Sequence, residues 1–174
     1  MREIVMEAQS GRAEAFEALV ERFGPDMYRM AAAIVGPDDA RDVAQETFIA
    51  AWRELPRLRD PGRFEPWLRR ILVNRSRNAL RTRRRQPAVS LVSPGPADQL
   101  AGEVDFRDAA HARQALDGAF ASLSADQRAV IALHYGAELS IREAAESMGV
   151  AAGTAKSRLN AALRRLRAAV EARP

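Results

Sequence analysis

Cysteine is absent from the 174 residues, which excludes disulfides and thiolate metal sites. Histidine is almost absent: His111 and His134 stand far apart, without ligand partners at motif spacing. Each reads as a surface or boundary helix residue rather than a metal ligand. No apolar run approaches the roughly 20 residues of a membrane span. Acids interrupt the N-terminal MREIVMEAQSGRAEA and no apolar core follows it, so it is not a signal peptide and a cytoplasmic chain is expected. Glycine is sparse and β-branched residues are few, while Ala, Leu, Arg and Glu dominate. That balance favours an all-α protein. Nothing has the pattern of a nucleophile, a metal site or a phosphate loop. No enzyme activity, cofactor or metal is expected.

The basic residues are almost all arginine, and their distribution says more than the net charge of +4. Residues 1–62 carry 8 arginines against 12 acids, net −4, and residues 63–85 carry 9 arginines against one acid, net +8. Residues 86–139 return to −4, with 3 arginines and 7 acids; residues 140–174 reach +4, with 7 basic residues and 3 acids. Two basic blocks sit in an otherwise acidic chain, and each is a candidate nucleic-acid footprint.

The second block contains SIREAAESMGVAAGTAKSRLNAALRRL, from Ser140 to Leu166. Ser140 and Glu143 form a capping box, so a helix starts at Ile141. Ile141, Ala144, Ala145 and Met148 share one face, and Gly149 stops the helix by accepting a left-handed conformation. A second helix follows from about Ala152, with Ala155, Leu159, Ala162, Leu163, Leu166 and Val170 on its apolar side. Thr154, Lys156, Ser157, Arg158, Asn160 and Arg164 lie opposite. By spacing alone this is either an amphipathic hairpin with a solvated face or a helix-turn-helix able to enter a major groove. Gly153 to Arg167 has five basic residues and no acid. Such a face, interleaved with Thr, Ser and Asn, suits phosphates and base edges.

Upstream, the spacing predicts a helix over about Arg12–Phe23, ended by Gly24-Pro25-Asp26, with Asp26 capping a second helix through Met27, Met30, Ile34 and Val35. Gly36-Pro37-Asp38 breaks the chain again. A third helix over about Asp38–Leu55 places Val43, Thr47, Phe48, Ala51, Trp52 and Leu55 inward, and Asp39, Arg41, Asp42, Gln45, Glu46 and Arg53 outward. A Pro-rich loop leads to a fourth helix over Phe64–Arg85, with Phe64, Trp67, Leu68, Ile71 and Leu72 on its apolar side. Trp67 is then a core residue or a stacking platform for a base. Asn74, beside the apolar stripe, is either a buried amide or a polar contact. The arginine-rich far end repels itself and is hard to explain without a polyanion. Residues 86–104, with three prolines and two glycines, form a flexible linker. A helix over about Asp105–Ala121 follows, then a second capping box at Ser124 and Gln127, with Val130, Ile131, Leu133 and Tyr135 supporting the helix and Gly136 ending it.

Two motif sets carry a resemblance. SADQRAVIALHY with LSIREAAESMGVAAGTAKSRL, and DDARDVAQETFIAAW with WLRRILVNRSRNALRTRRR, resemble the bacterial extracytoplasmic-function (ECF) sigma factors of the sigma-70 family. The resemblance covers about residues 10–85 and 105–170. It implies an N-terminal region 2 domain over 1–85, a linker over 86–104 and a C-terminal region 4 domain over 105–174. It implies core RNA polymerase and promoter DNA as partners, and an anti-sigma factor as a further one. Carried over by position, Asp39, Asp42, Gln45 and Glu46 would contact polymerase. Asn74, Arg77, Asn78, Arg81 and Arg84 would hold the melted strand of the downstream element. Thr154, Lys156, Ser157, Arg158, Asn160 and Arg164 would read the upstream element as duplex. The chain departs from the pattern at Arg41, where glutamate is common, at Asn78 for aspartate, at Ser124 for proline, and at Ala151, Ala155 and Ala161. The competing reading is a helix-turn-helix regulator that binds DNA without polymerase. A third is a protein whose partner is another protein.

Overall fold

A computed structural model of the chain describes residues 1–85 and 116–171, and among them there is no strand. The linker 86–104, His111 and most of the helix expected over 105–121 lie outside the described residues. The N-terminal half contains α1 (Arg2–Gln9), α2 (Ala13–Val35), α3 (Pro37–Glu54) and α4 (Phe64–Arg85). The C-terminal half contains a helical stretch at 116–122, then α5 (Ala125–Ile131), α6 (Ile141–Met148) and α7 (Ala152–Glu171).

The chain between Ala13 and Val35 is one helix, not two, and Pro25 lies inside it. Proline removes a backbone donor and crowds the carbonyl four residues back, at a cost of about 3 kcal/mol in a helix interior. Here Leu19, Phe23, Met27, Met30 and Ile34 continue one buried stripe straight through it. Breaking the helix would turn half of that stripe away from the core, and each such side chain is worth about 1.5–3 kcal/mol when buried. Burial therefore outweighs the local signal. Asp26 is not a cap, and pairs with Arg29 one turn on at 2.5 Å. The short α1 lies ahead of the first helix that the spacing predicts. It buries Val5 and Ala8, and Gln9 Nε2 donates to the carbonyls of Leu55 and Leu58 at 3.1 and 2.7 Å, tying down the chain that follows α3.

Gly36 turns with φ +96°, Pro37 occupies the first turn of α3, and Asp38 and Asp39 add negative charge at that helix N-terminus. Val43, Ala44, Thr47, Phe48, Ala50 and Ala51 are buried, with Thr47 Oγ1 donating to the Val43 carbonyl at 2.7 Å. Trp52, expected inward, is 40 % exposed and rests on Phe16, ring centroids 4.8 Å apart. The Pro-rich loop holds two short tight turns, Leu55–Arg57 and Pro61–Arg63, the second capped by Asp60 Oδ1 accepting from Gly62 N at 2.9 Å. In α4, Phe64, Leu68, Ile71, Leu72 and Val73 are buried. Trp67 is half-buried against Phe64.

Both capping boxes form. Ser124 Oγ accepts from Gln127 N while Gln127 Oε1 accepts from Ser124 N, and Ser140 and Glu143 do the same. After α5 the chain makes a wide turn over Ala132–Gly136, closed by Ala137 N donating to the Ala132 carbonyl at 3.0 Å. Tyr135 stands outward there rather than supporting the helix. His134 Nδ1 bonds the Leu139 carbonyl at 2.7 Å. Gly149 takes the left-handed conformation, φ +66° and ψ 37°. The buried side of α7 is Ala155, Leu159 and Ala162.

The halves do not stand apart. α4 packs on α5 and α6, and α2 packs on α5 and the wide turn, so one apolar cluster runs from Val5 through Phe64 and Leu72 to Leu133, Met148 and Leu159.

Candidate nucleic-acid interface

α3 and α7 present most of their outward rows as expected, Asp39 and Arg158 excepted. Asp42, Gln45 and Glu46 are exposed on α3. Asp39 is half-buried and pairs with Arg83 Nη1 at 3.3 Å. That bond ties the acidic row to the far end of α4, and both line a groove of about 510 Å³ with Asn78 and Thr82. A second groove of about 520 Å³ opens beside it, lined by Phe16, Val20, Gln45, Phe48, Ile49 and Trp52. Periodicity missed this apolar surface, because it assigned Trp52 to the interior.

On α4, Asn74, Asn78 and Arg81 are exposed. Asn74 Oδ1 accepts from Arg77 Nη1 at 3.0 Å, and Asn78 Oδ1 accepts from Arg81 Nη2 at 3.3 Å. Asn74 is thus not a buried amide. The side chain of Arg84 lies outside the described residues. On α7, Thr154, Lys156, Ser157, Asn160 and Arg164 are exposed, and Arg158 is half-buried.

Arg77 and Arg158 meet one carboxylate. Asp126, in the first turn of α5, accepts from Arg77 Nε through Oδ1 at 2.5 Å and pairs with Arg158 Nη2 through Oδ2 at 2.9 Å. Two more contacts follow along the same seam: Arg63, in the turn before α4, pairs with Glu146, and the Arg70 guanidinium on α4 lies where a side chain on Gly149 would point, 3.1 Å from a Cβ placed there. Arg70 and Arg77 are seven residues apart, two turns on one face. Arg128 Nη1 crosses the seam to the Ile34 carbonyl at 3.1 Å. No sequence signal marked Asp126 for this place, since its partner in α4 is 49 residues away.

At the start of α6 the Glu143 carboxyl is held below the usual carboxylate range. The main cause is the hydrogen bond from the Ser140 hydroxyl, then the bond from the Ser140 backbone N–H, with Arg142 and Arg69 adding attraction. An ionised Glu143 therefore favours the helix that positions the turn before α7.

Two helical halves, one ending in a helix-turn-helix with an acid-free basic face, define a DNA-binding protein of the transcription machinery. The family comparison is more specific. Residues 19–86 match Sigma-70 region 2 and residues 113–166 match Sigma-70 region 4. The ECF RNA polymerase sigma-E factor of Escherichia coli K12 is 32 % identical over 165 residues, covering 90 % of this chain and 86 % of that protein. The sigma-E factor of Salmonella typhimurium LT2 matches equally. Among solved structures, the sigma factor RpoE of Bartonella quintana in complex with the anti-sigma factor NepR superposes with a TM-score of 0.68 at 27 % identity, covering 93 % of this chain and all of that one. CnrH in complex with the cytosolic domain of CnrY gives 0.67 at 28 %, covering 99 % and 98 %. The chain belongs to the ECF sigma factors of the sigma-70 family, proteins that bind core RNA polymerase and direct transcription initiation at promoters. No helix among the described residues is long and apolar enough to cross a membrane.

Proposed function

We propose that the labour divides along the chain. Residues 1–85 hold core polymerase and the melted strand of the downstream element, 86–104 tether, and 105–174 read the upstream element as duplex. Polymerase docks on Asp39, Asp42, Gln45 and Glu46; the melted strand meets Asn74, Arg77, Asn78, Arg81 and Arg84. The duplex meets Thr154, Lys156, Ser157, Arg158, Asn160 and Arg164. The observation that carries this reading is the separation of charge: an exposed acidic row on α3 against an acid-free basic face on α7. A regulator acting without polymerase has no need of the first. The chain works by binding, in the cytoplasm, and catalyses no reaction; strand opening draws on the bases captured once exposed. An anti-sigma factor is a further partner, supported by the similar sigma factor RpoE solved with one.

The test is a double charge reversal, Asp42→Arg with Glu46→Arg. Co-purification with core polymerase should be abolished, while stability moves by less than about 0.5 kcal/mol because both positions are exposed. Retained binding, or loss of the fold in place of loss of binding, refutes the assignment.

A further inference from the structure

Gln9 is the last residue of α1, and its carboxamide reaches partners 46 and 49 residues along the chain. Nε2 donates to the Leu55 carbonyl at 3.1 Å and to the Leu58 carbonyl at 2.7 Å. The two donors grip both sides of the first tight turn after α3, which Leu58 N closes by donating to the Leu55 carbonyl at 3.0 Å. Two residues on, Asp60 caps Gly62, and its carbonyl accepts from Arg63 N at 2.9 Å. Arg59 is held between these two fixed points. We propose that Gln9 is a positioning residue for capture of the melted strand: it fixes the loop 55–60 so that Arg57 and Arg59 meet the phosphates of the strand where it leaves α4. The proposal rests on the assignment of α4 to the melted strand.

Arg57 and Arg59 are exposed, and no salt bridge among the described residues engages either. Other arginines nearby are committed, Arg63 to Glu146 and Arg69 to Glu65. Trp67, Asn74 and Arg81 follow one another at seven-residue spacing, two turns each, so they share a face of α4. A single strand lying along that face toward the start of the helix passes the half-buried Trp67 and comes to the loop. The two arginines therefore extend the basic block of α4 by one loop, and an arginine fork suits a phosphate. A loop free to move must be ordered when the strand binds, which weakens binding. Here folding has already ordered it. Val5 and Ala8 are buried and anchor α1, Leu58 packs on the core, and Gln9 joins the two.

The test uses the full chain. Gln9→Met keeps the length of the side chain and removes both donors. Affinity for fluorescent oligo-dT and for a mixed-sequence duplex is measured by anisotropy at one low salt concentration. Brief trypsin treatment, mapped by mass spectrometry, reads the loop through cleavage after Arg57 and Arg59. Gln9→Met should bind oligo-dT about five-fold more weakly, with the duplex changed by less than about two-fold, and cleavage in the loop should be faster. Arg57→Ala with Arg59→Ala, both at exposed positions, should weaken oligo-dT binding at least as much. Gln9→Met added to that pair should lower it no further, because all three act through the same contacts. A purely structural Gln9 would lower both probes alike and add to the arginine pair, and either result overturns the proposal. So does unchanged oligo-dT binding in Gln9→Met or in the arginine pair, or weakened binding with no change in cleavage. Arg81→Ala separates this role from the reading of α4. If Arg81→Ala weakens oligo-dT binding while Gln9→Met does not, α4 keeps its assignment and Gln9 loses its role. If Arg81→Ala changes nothing, the assignment of α4 fails and the role of Gln9 with it.

Discussion

One substitution, glycine to alanine, should have opposite effects at two positions of this chain. Gly153 lies in the first turn of α7, and a Cβ added there meets nothing within 4 Å outside its chain neighbours and its own helix backbone. Alanine in a helix is favoured over glycine by about 0.5–1 kcal/mol, so Gly153→Ala should stabilise by up to that amount. Gly149 has φ +66°, where an L side chain crowds its own backbone, at a cost of about 1–2 kcal/mol. Its Cβ would also lie 3.1 Å from Arg70 Nε and 3.3 Å from Cζ and Nη2. The guanidinium is the end of a flexible side chain and can swing aside, so backbone strain is the larger effect. The two variants should differ by about 2 kcal/mol, which for a chain of this size separates their melting midpoints by roughly 4–8 °C. Thermal unfolding followed by far-ultraviolet circular dichroism reads this directly. Gly149→Ala repeated in an Arg70→Ala background isolates the crowding, and most of the loss should persist there. A Gly153→Ala protein that melts earlier than wild type would show that α7 does not begin at Ala152. A Gly149→Ala protein that melts with wild type would remove the left-handed turn from the argument.

Lys156 is exposed on α7, so Lys156→Ala should weaken duplex binding on all sequences alike and reduce the slope of log affinity against log salt by about 1; an unchanged slope refutes the phosphate contact. The Ser140–Glu143 box should make α6 sensitive to acid. The folded pKa of Glu143 is depressed, so its contribution is present above the ordinary carboxylate value and is lost as pH falls through the lowered one. Glu143→Gln keeps the cap geometry and should flatten that part of the acid dependence of the melting midpoint; an identical acid profile in the two proteins refutes it. Ser140→Ala should cost about 1 kcal/mol through the lost bond to the Glu143 backbone, and should also weaken the acid dependence, since the same hydroxyl is the main cause of the lowered Glu143 pKa.

Much of the secondary structure was legible because its signals act within one turn. The boxes at Ser124 and Ser140, the left-handed Gly149 and the start of α3 at Gly36-Pro37 all depend on neighbours within three or four residues. Gly24-Pro25 misled for the same reason: the local rule was obeyed in the reading, while the buried stripe from Leu19 to Ile34 decided the outcome. Trp52 lay on the margin of an apolar stripe, and periodicity does not tell whether a neighbour arrives to cover the margin.

The sequence by itself determined the helical class, the order of two charged blocks, the helix-turn-helix and the exposed rows on α3 and α7. These follow from propensity, capping and periodicity, which need no partner. Only the tertiary structure decided that the halves share a core, and that Arg77 and Arg158 point at Asp126 while Lys156 and Arg164 point at water. The physical reason is that Coulomb attraction has no address. Any of 23 acids could answer any of 27 basic residues, and which do so depends on how the helices pack.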